Sequence, residues 1–138
     1  MASGFVPGAS VAAAWCFADE TTPESDALRE SLAEQRAVVP RLWHAETANL
    51  LLTAARRQRI KPERCDELLD RLASLPIETQ DESDRLRGPV LRLARAHRLT
   101  VYDAIYLDLA IDRGLALATR NLAQQTATRA EGVRLIET

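Results

Sequence analysis

Two carboxylates stand in otherwise apolar stretches of this 138-residue sequence, and their side chains are the ones best suited to chemistry. Glu46 lies within LWHAETANL (residues 42–50), and Asp103 lies within LTVYDAIYL (residues 99–107). An unpaired charge among apolar neighbours is costly, and a divalent cation held between the two acids would relieve that cost. Because carboxylate oxygens suit hard ions, the pair indicates a site for Mg²⁺ or Mn²⁺.

Simpler roles remain open for both acids, and spacing alone favours them. Thr100 and Asp103 have the spacing of a capping box at the start of a helix, with Asp in the place of the usual Glu. Glu46 has the pattern of an ordinary exposed helix glutamate. His44 and Asn49 are weaker candidates, since such residues more often pack or face solvent than bind a ligand.

Composition excludes several other kinds of site. Cys16 and Cys65 lie far apart with no second pair, and His44 and His97 are also far apart, which argues against a disulfide framework, a zinc knuckle and a zinc hydrolase. The longest apolar run, residues 11–18, is well short of the roughly 20 residues that cross a bilayer. The start lacks the pattern of a secretory signal. We therefore expect a soluble, cytoplasmic single domain spanning residues 1–138, without a membrane contact.

The basic residues are almost all arginines, and most lie in two groups. The formal net charge is −2, with 18 basic residues, of which Lys61 is the only lysine. Arginine pairs bidentately with phosphate or carboxylate, so the groups could grip an RNA backbone or an acidic partner segment; a solvated helix face is the favoured interpretation. The first group is Arg56, Arg57, Arg59, Lys61 and Arg64; the second is Arg85, Arg87, Arg92, Arg95 and Arg98.

The elements that must position the acids alternate along the chain. The pattern predicts short apolar strands at residues 4–10, 37–39, 76–79, 115–119 and 133–136. It predicts helices at residues 11–18, 22–35, 40–58, 62–74, 81–97 (divided at Gly88-Pro89), 100–112 and 121–131. In the helix of residues 40–58 the expected buried stripe is Ala45, Ala48, Leu52 and Ala55.

Short apolar strands separated by helices are typical of an α/β fold in which helices cover both faces of a parallel sheet. Ligands bind such sheets in the crevice at the carboxyl ends of the strands. The polar residues expected near that edge include Ser10 and Thr119. Asp108 lies about 140° round the helix from Asp103, so it is a poor additional ligand.

Four stretches together resemble the PIN-domain family, in particular the VapC-type toxins of prokaryotic toxin–antitoxin pairs. The third stretch, LTVYDAIYL, matches that family's motif almost letter for letter. The resemblance implies a PIN-like three-layer sandwich with a short parallel sheet of four or five strands flanked by helices. The stretches are FVPGASV (residues 5–11), VPRLWHAETAN (39–49), LTVYDAIYL (99–107) and LATRN (117–121).

The same resemblance implies a metal-dependent endoribonuclease in which acids hold Mg²⁺ or Mn²⁺ and water attacks an RNA phosphodiester. Glu46, Asp103 and Asn121 take the catalytic positions, and Glu46 and Asp103 are the metal ligands. Two of the four family acids are replaced, the first by Gly8 and the fourth by Asn121. Asn121 can still cap its helix, whereas Gly8 offers no ligand, so we expect weaker metal binding and impaired activity.

The departures leave alternatives open. The replacements are natural, or they were introduced to inactivate the protein, or the alignment of the first motif is wrong. A catalytically inactive PIN module that binds RNA or an antitoxin-like protein is the second hypothesis, and a phosphoacceptor receiver domain is disfavoured by the missing acidic pair. The resemblance further implies a homodimer and a cognate antitoxin, and residues 41–64 are the face expected to bind one of them.

Overall fold

A computed structural model of the chain describes residues 3–138, so the first two residues of the expected 1–138 domain lie outside it. The strands are β1 (Gly4–Pro7), β2 (Arg36–Pro40), β3 (Ile77–Gln80), β4 (Ala116–Ala118) and β5 (Leu135–Ile136). The α-helices are α1 (Ala9–Cys16), α2 (Pro23–Glu30), α3 (Arg41–Arg56), α4 (Pro62–Ser74), α5 (Leu91–His97), α6 (Val101–Arg113) and α7 (Leu122–Ala130). Short 3₁₀ turns occupy Ser31–Ala33 and Ser83–Arg85.

The described strands form one parallel sheet in the order β3-β2-β1-β4-β5. The chain adds β2 and β3 on one side of β1 and then β4 and β5 on the other, so the strand order changes direction between β1 and β4 while every strand stays parallel. At this point Pro7 is in register with Ala118. The predicted α/β fold with a parallel sheet is therefore confirmed. Pro7 and Pro40 are tolerated because each is the last residue of its strand, and the ladder bond beyond Pro7 comes from the Gly8 N–H to the Ala118 carbonyl (2.8 Å).

Apolar side chains cover both faces of the sheet, because successive strand residues point to opposite sides. Val6 of β1 belongs to a large cluster with Trp43, Leu93 and Leu107, whereas Phe5 belongs to a smaller cluster that contains residues of α1 and α2. Strands buried on both faces read as continuous apolar runs, which is the pattern that the sequence shows.

The buried face of α3 differs from the predicted one. Trp43, Thr47, Leu51 and Ala54 are buried, whereas Leu52 of the expected stripe is 41% exposed. A tryptophan buries far more apolar surface than an alanine, so the helix packs with Trp43 inward and the alanine stripe turns away from the core.

Two other segments differ in detail from the prediction. The first strand ends at Pro7 and the helix already begins at Ala9, so Ser10 lies in the first turn of α1 instead of in a strand. The segment around Gly88-Pro89 forms a π-helical turn, Leu86–Val90, that leads into α5. Pro89 has no N–H to donate, so an uninterrupted α-helix does not form there. Within residues 3–138, no helix is long and apolar enough to cross a membrane.

Candidate functional site

A small cavity lies where the strand order reverses, at the carboxyl ends of β1 and β4. Its volume is about 180 Å³. The residues around it come from the first turns of α1, α6 and α7 and from the second turn of α3. They are Ala9, Ser10, Glu46, Asp103, Tyr106, Asn121 and Gln124. The structure thus brings Glu46, Asp103, Asn121 and Ser10 together from four separate helices.

Glu46 is half-buried in this cavity and receives a hydrogen bond at Oε1 from the Tyr106 hydroxyl. Desolvation raises the pKa of the Glu46 carboxyl, and the nearby charge of Asp103 raises it further, while the Tyr106 hydrogen bond partly opposes both. Burial and the carboxylate also raise the pKa of Tyr106, so the phenol keeps its proton and stays the donor. Glu46 is therefore not the ordinary exposed glutamate that its spacing allowed.

Asp103 lies in the first turn of α6, and its backbone N–H donates to Thr100 Oγ1 (3.0 Å). Only this half of the predicted capping box forms, because the carboxylate of Asp103 faces the cavity and does not return to the Thr100 N–H. The helix start therefore uses the threonine hydroxyl, and the acid is left available for a ligand.

Asn121 caps α7, as its residue type allowed: its Oδ1 accepts from the Gln124 N–H (2.9 Å). Thr119 is buried behind it, accepting from the Asn121 N–H (3.1 Å) and donating to Gln124 Oε1 (2.6 Å). Gln124 Nε2 donates in turn to the Asp103 carbonyl (3.1 Å). These contacts hold the first turns of α6 and α7 against each other at the cavity wall.

Sequence reasoning assigned no role to Gln124 or Tyr106. Gln124 follows the cap residue Asn121 by three positions, and Tyr106 follows Asp103 by three positions, which places each on the same helix face as the residue before it. That spacing was the available signal.

Gly8 lies between the end of β1 and the start of α1, and it has no side chain to cap the helix. Its backbone, with φ −69° and ψ 167°, is accessible to any residue. A Cβ at this position would lie 3.3 Å from the Ala118 carbonyl oxygen and 3.6 Å from Thr119 Cβ and Oγ1. A Cβ would thus fit here, beside the Thr119 hydroxyl, after a shift of a few tenths of an ångström.

The remaining donors decide which kind of metal site fits. Within residues 3–138, no three histidine, cysteine, aspartate or glutamate side chains lie close enough to hold a metal ion. Glu46 and Asp103 supply two carboxylates, and the Asn121 amide oxygen is already an acceptor in the cap. Mg²⁺ commonly binds one or two carboxylates together with substrate phosphate and water. The donor set therefore fits an ion shared with a phosphate ligand, and does not fit one held by the protein alone.

Several residues considered from the sequence lie away from the cavity. Asp108 is buried and paired with Arg85. His44 is exposed, with its Nε2 at 2.8 Å from Thr79 Oγ1, and Asn49 is exposed on α3. In the first arginine group, Arg59 pairs with Asp19 and Glu20 and stacks on Phe17, with the guanidinium carbon 3.9 Å from the ring centre.

Comparison with known families gives one match that covers most of the chain. The family model of the PIN domain matches residues 8–129. No curated protein matches the chain by sequence.

Solved structures give the same fold. PAE2754 from Pyrobaculum aerophilum superposes with a TM-score of 0.71 at 24% identity, covering 99% of this chain and 85% of that one. VapBC2 from Rickettsia felis, solved bound to a DNA fragment from its promoter, gives 0.71 at 15% identity, covering 97% and 98%. FitAcB from Neisseria gonorrhoeae gives 0.62 at 15% identity, covering 96% of each. At these identities the likeness concerns the fold.

Proposed function

This chain belongs to the PIN domain family, and from that premise we propose that it is a VapC-like toxin, an endoribonuclease dependent on Mg²⁺ or Mn²⁺ whose site is weakened at Gly8 and Asn121. The family is one of nucleases. The observation that carries the proposal is that Glu46 and Asp103, far apart in the sequence, face one cavity at the strand ends. Two carboxylates that face one cavity without a cation repel each other, so the arrangement does not stabilise the fold and favours a role in ligand binding.

Each residue of the cavity then has a part in handling RNA. Glu46 and Asp103 hold the metal, which when bound neutralises the phosphate and lowers the pKa of its water. Tyr106 fixes the orientation of Glu46, and Gln124 fixes the backbone of Asp103. Asn121 and Ser10 supply an amide and a hydroxyl to the same cavity, where they can hydrogen-bond to phosphate oxygens.

Restoring the missing acids tests this proposal. We expect the Gly8→Asp, Asn121→Asp double variant to cleave structured RNA with Mg²⁺ or Mn²⁺ about 10- to 100-fold faster than the parent, since each change adds a carboxylate to the site. Adding Asp103→Asn to the double variant should abolish the gain, and Glu63→Gln, an exposed acid on α4, is the matched control that should not. A double variant that binds Mn²⁺ tightly and still cuts no RNA would refute the nuclease proposal.

A second candidate function is a non-catalytic module that binds RNA or a protein partner. The observation favouring it is the absence of three clustered metal-binding side chains among residues 3–138. Calorimetric titration with Mn²⁺ separates the two candidates. With RNA present, Mn²⁺ binding by the parent at micromolar concentrations supports the nuclease, and RNA binding without any Mn²⁺ binding supports the non-catalytic module.

For the partner, we propose an antitoxin segment, and we place the pair in the cytoplasm with its RNA. A groove of about 420 Å³ shares Ser10 with the cavity and runs between α1 and α3 toward Arg57. Its floor is apolar and includes Phe17 and Leu50. A segment lying there would place a basic side chain against Glu46 and Asp103.

Antitoxin affinity should rise on Gly8→Asp, because the added carboxylate offers another charge-assisted hydrogen bond to an inserted arginine. An unchanged dissociation constant would count against this arrangement. A homodimer is also proposed from the resemblance, and sedimentation of the purified chain would test it.

A further inference from the structure

Two large exposed side chains lie next in sequence to residues that line the cavity. Tyr102, in the first turn of α6 and directly before Asp103, is 60% exposed. Its hydroxyl has no hydrogen-bond partner among residues 3–138. Leu122, directly after Asn121, is 77% exposed. By contrast Tyr106, one turn further along α6, is only 2% exposed. Both side chains are thus free to contact a ligand at this edge of the cavity.

The position of Tyr102 relative to the cavity follows from helix geometry and one hydrogen bond. Tyr102 and Tyr106 are four residues apart, so they lie on the same face of α6. Tyr106 reaches Glu46 inside the cavity, and Tyr102 lies one turn closer to the helix start and to solvent. The bond from Gln124 Nε2 to the Asp103 carbonyl brings the start of α7, with Leu122, next to this turn.

Unpaired arginines lie on α5 and at its end, in the segment that directly precedes this turn. Arg92, Arg95 and Arg98 are exposed, and none of them belongs to an ion pair among the described residues. Arg98 ends α5 in a left-handed conformation, with φ 52°, only four residues before Tyr102. The two Cα atoms are therefore at most about 14 Å apart. Arg85, from the same sequence group, is excluded because Asp108 neutralises it.

We propose that Tyr102 is a stacking platform for an unpaired nucleobase and that Arg95 and Arg98 contact the phosphates of the same strand, so that the ligand at this edge is single-stranded RNA. This inference rests on the proposed function. Every base offers a flat face to an aromatic ring, and arginine binds phosphate bidentately. An apolar protein partner would leave the three arginines unmatched, whereas a nucleic acid strand uses the ring and the arginines together.

Binding measurements test the stacking role without requiring cleavage. In the Asp103→Asn background, where the proposed cleavage is removed, a short fluorescent single-stranded RNA is titrated by anisotropy, with a duplex of the same sequence beside it. Tyr102→Ala should weaken single-strand binding roughly 5- to 150-fold, while Tyr102→Phe keeps it and duplex binding stays unchanged. Leu52→Ala removes another exposed apolar residue, on α3, and is the control.

The phosphate contacts have their own signature. Arg95→Gln with Arg98→Gln should reduce the slope of log affinity against log salt concentration by about 1.4, or 0.7 for each phosphate contact to a single strand. An unchanged slope would show that neither arginine contacts the phosphates of the strand.

Three outcomes would overturn the stacking proposal. Equal RNA affinities for Tyr102→Ala and Leu52→Ala would reject the platform while the restored double variant could still cut RNA, so the nuclease proposal would stand. A smaller particle on sedimentation for Tyr102→Ala would assign the ring to an interface between copies of the chain. Absence of RNA binding by every variant, with no cleavage by the restored one, would reject both proposals together.

Discussion

Asp103 and Asp108 lie five positions apart on α6, both in apolar sequence, and their surroundings are opposite. Asp108 is 4% exposed and accepts two hydrogen bonds from Arg85, from Nε at 2.6 Å and from Nη2 at 3.0 Å. Asp103 faces a cavity in which its charged neighbour is another acid, Glu46. The carboxylate of Asp108 is paired with the Arg85 guanidinium, whereas that of Asp103 has no ion pair among the described residues.

This difference separates a structural acid from a candidate functional one. A buried carboxylate with a bidentate arginine satisfies its charge and its lone pairs within the protein. Glu46, whose pKa is raised by burial and by the neighbouring charge of Asp103, is in a state that a ligand can relieve. The same contrast predicts that Asp103 adds less to the stability of the fold than Asp108 while it remains available for binding.

The largest expected effect on stability concerns Asp108, the acid that is paired with Arg85. Asp108→Ala should lower the free energy of unfolding by about 3 kcal/mol, because it removes both hydrogen bonds from Arg85 to a buried carboxylate and leaves Arg85 only the longer contact with Asp112 (3.4 Å). We choose the low end of the range because the Arg85 side chain is 32% exposed and can recruit water. Urea denaturation measures the change. Asp103→Ala is the control, with an expected change within about 0.5 kcal/mol, and comparable losses for the two variants would erase the comparison.

For RNA cleavage we expect the opposite ranking, in which a change at Asp103 has a larger effect than a change at an acid that contacts Arg85. In the Gly8→Asp, Asn121→Asp background, Asp103→Asn should reduce RNA cleavage by about 100-fold or more, since a direct metal ligand is lost. Asp112→Asn is the second arm: this acid also contacts Arg85, at 3.4 Å, and should leave the cleavage rate of the folded protein nearly unchanged. If the Asp112 variant lost as much activity as the Asp103 variant, the cavity would not be the site of the chemistry.

Asn121 combines the two kinds of role, because it lines the cavity and also caps α7. Asn121→Ala should destabilise the chain by about 1 kcal/mol through loss of the α7 cap, whereas Asn121→Asp should keep the cap. Thermal unfolding in EDTA measures both. A destabilising Asn121→Asp would mean that repulsion from Glu46 and Asp103 outweighs the cap.

The smallest expected effect is a pH dependence of stability at Glu46. Its folded-state pKa is raised above the ordinary value of 4.5, so the protonated carboxyl is the form that the folded state favours. Ionisation therefore weakens the fold as the pH rises through the raised pKa. In metal-free buffer, Glu46→Gln should unfold like the parent below pH 4.5 and become the more stable of the two as the pH increases above it. A stability difference that does not vary with pH would contradict this account.

Much of the fold could be predicted because its signals are local. Pro62 and Pro23 at helix starts, the Thr100 hydroxyl and the Gly114 terminus each act within one turn of chain, and the structure places helix boundaries there. The face of α3 could not be predicted in the same way. Its periodicity fits more than one stripe, and the choice depends on which neighbours receive Trp43.

The start of α3 shows the same limit. Pro40 cannot cap the helix with its side chain, and the N–H groups of Arg41 and Leu42 donate instead to Glu82 at 3.1 and 2.9 Å. This acid lies about forty residues further along the chain, after β3. No local pattern links the two, because the contact exists only once β2 and β3 are paired.

By itself, the sequence determined the alternation of strands and helices and the parallel sheet, because both depend on residue type and on short-range periodicity. It placed Glu46 and Asp103 near the carboxyl edge of that sheet, while their spacing alone left ordinary structural roles open for both. Only the tertiary structure decided which acid Arg85 neutralises, that Tyr106 hydrogen-bonds Glu46, and that Gln124 joins α6 to α7. Those outcomes depend on side chains that meet across helices, and a charge is matched or left free by what surrounds it in space.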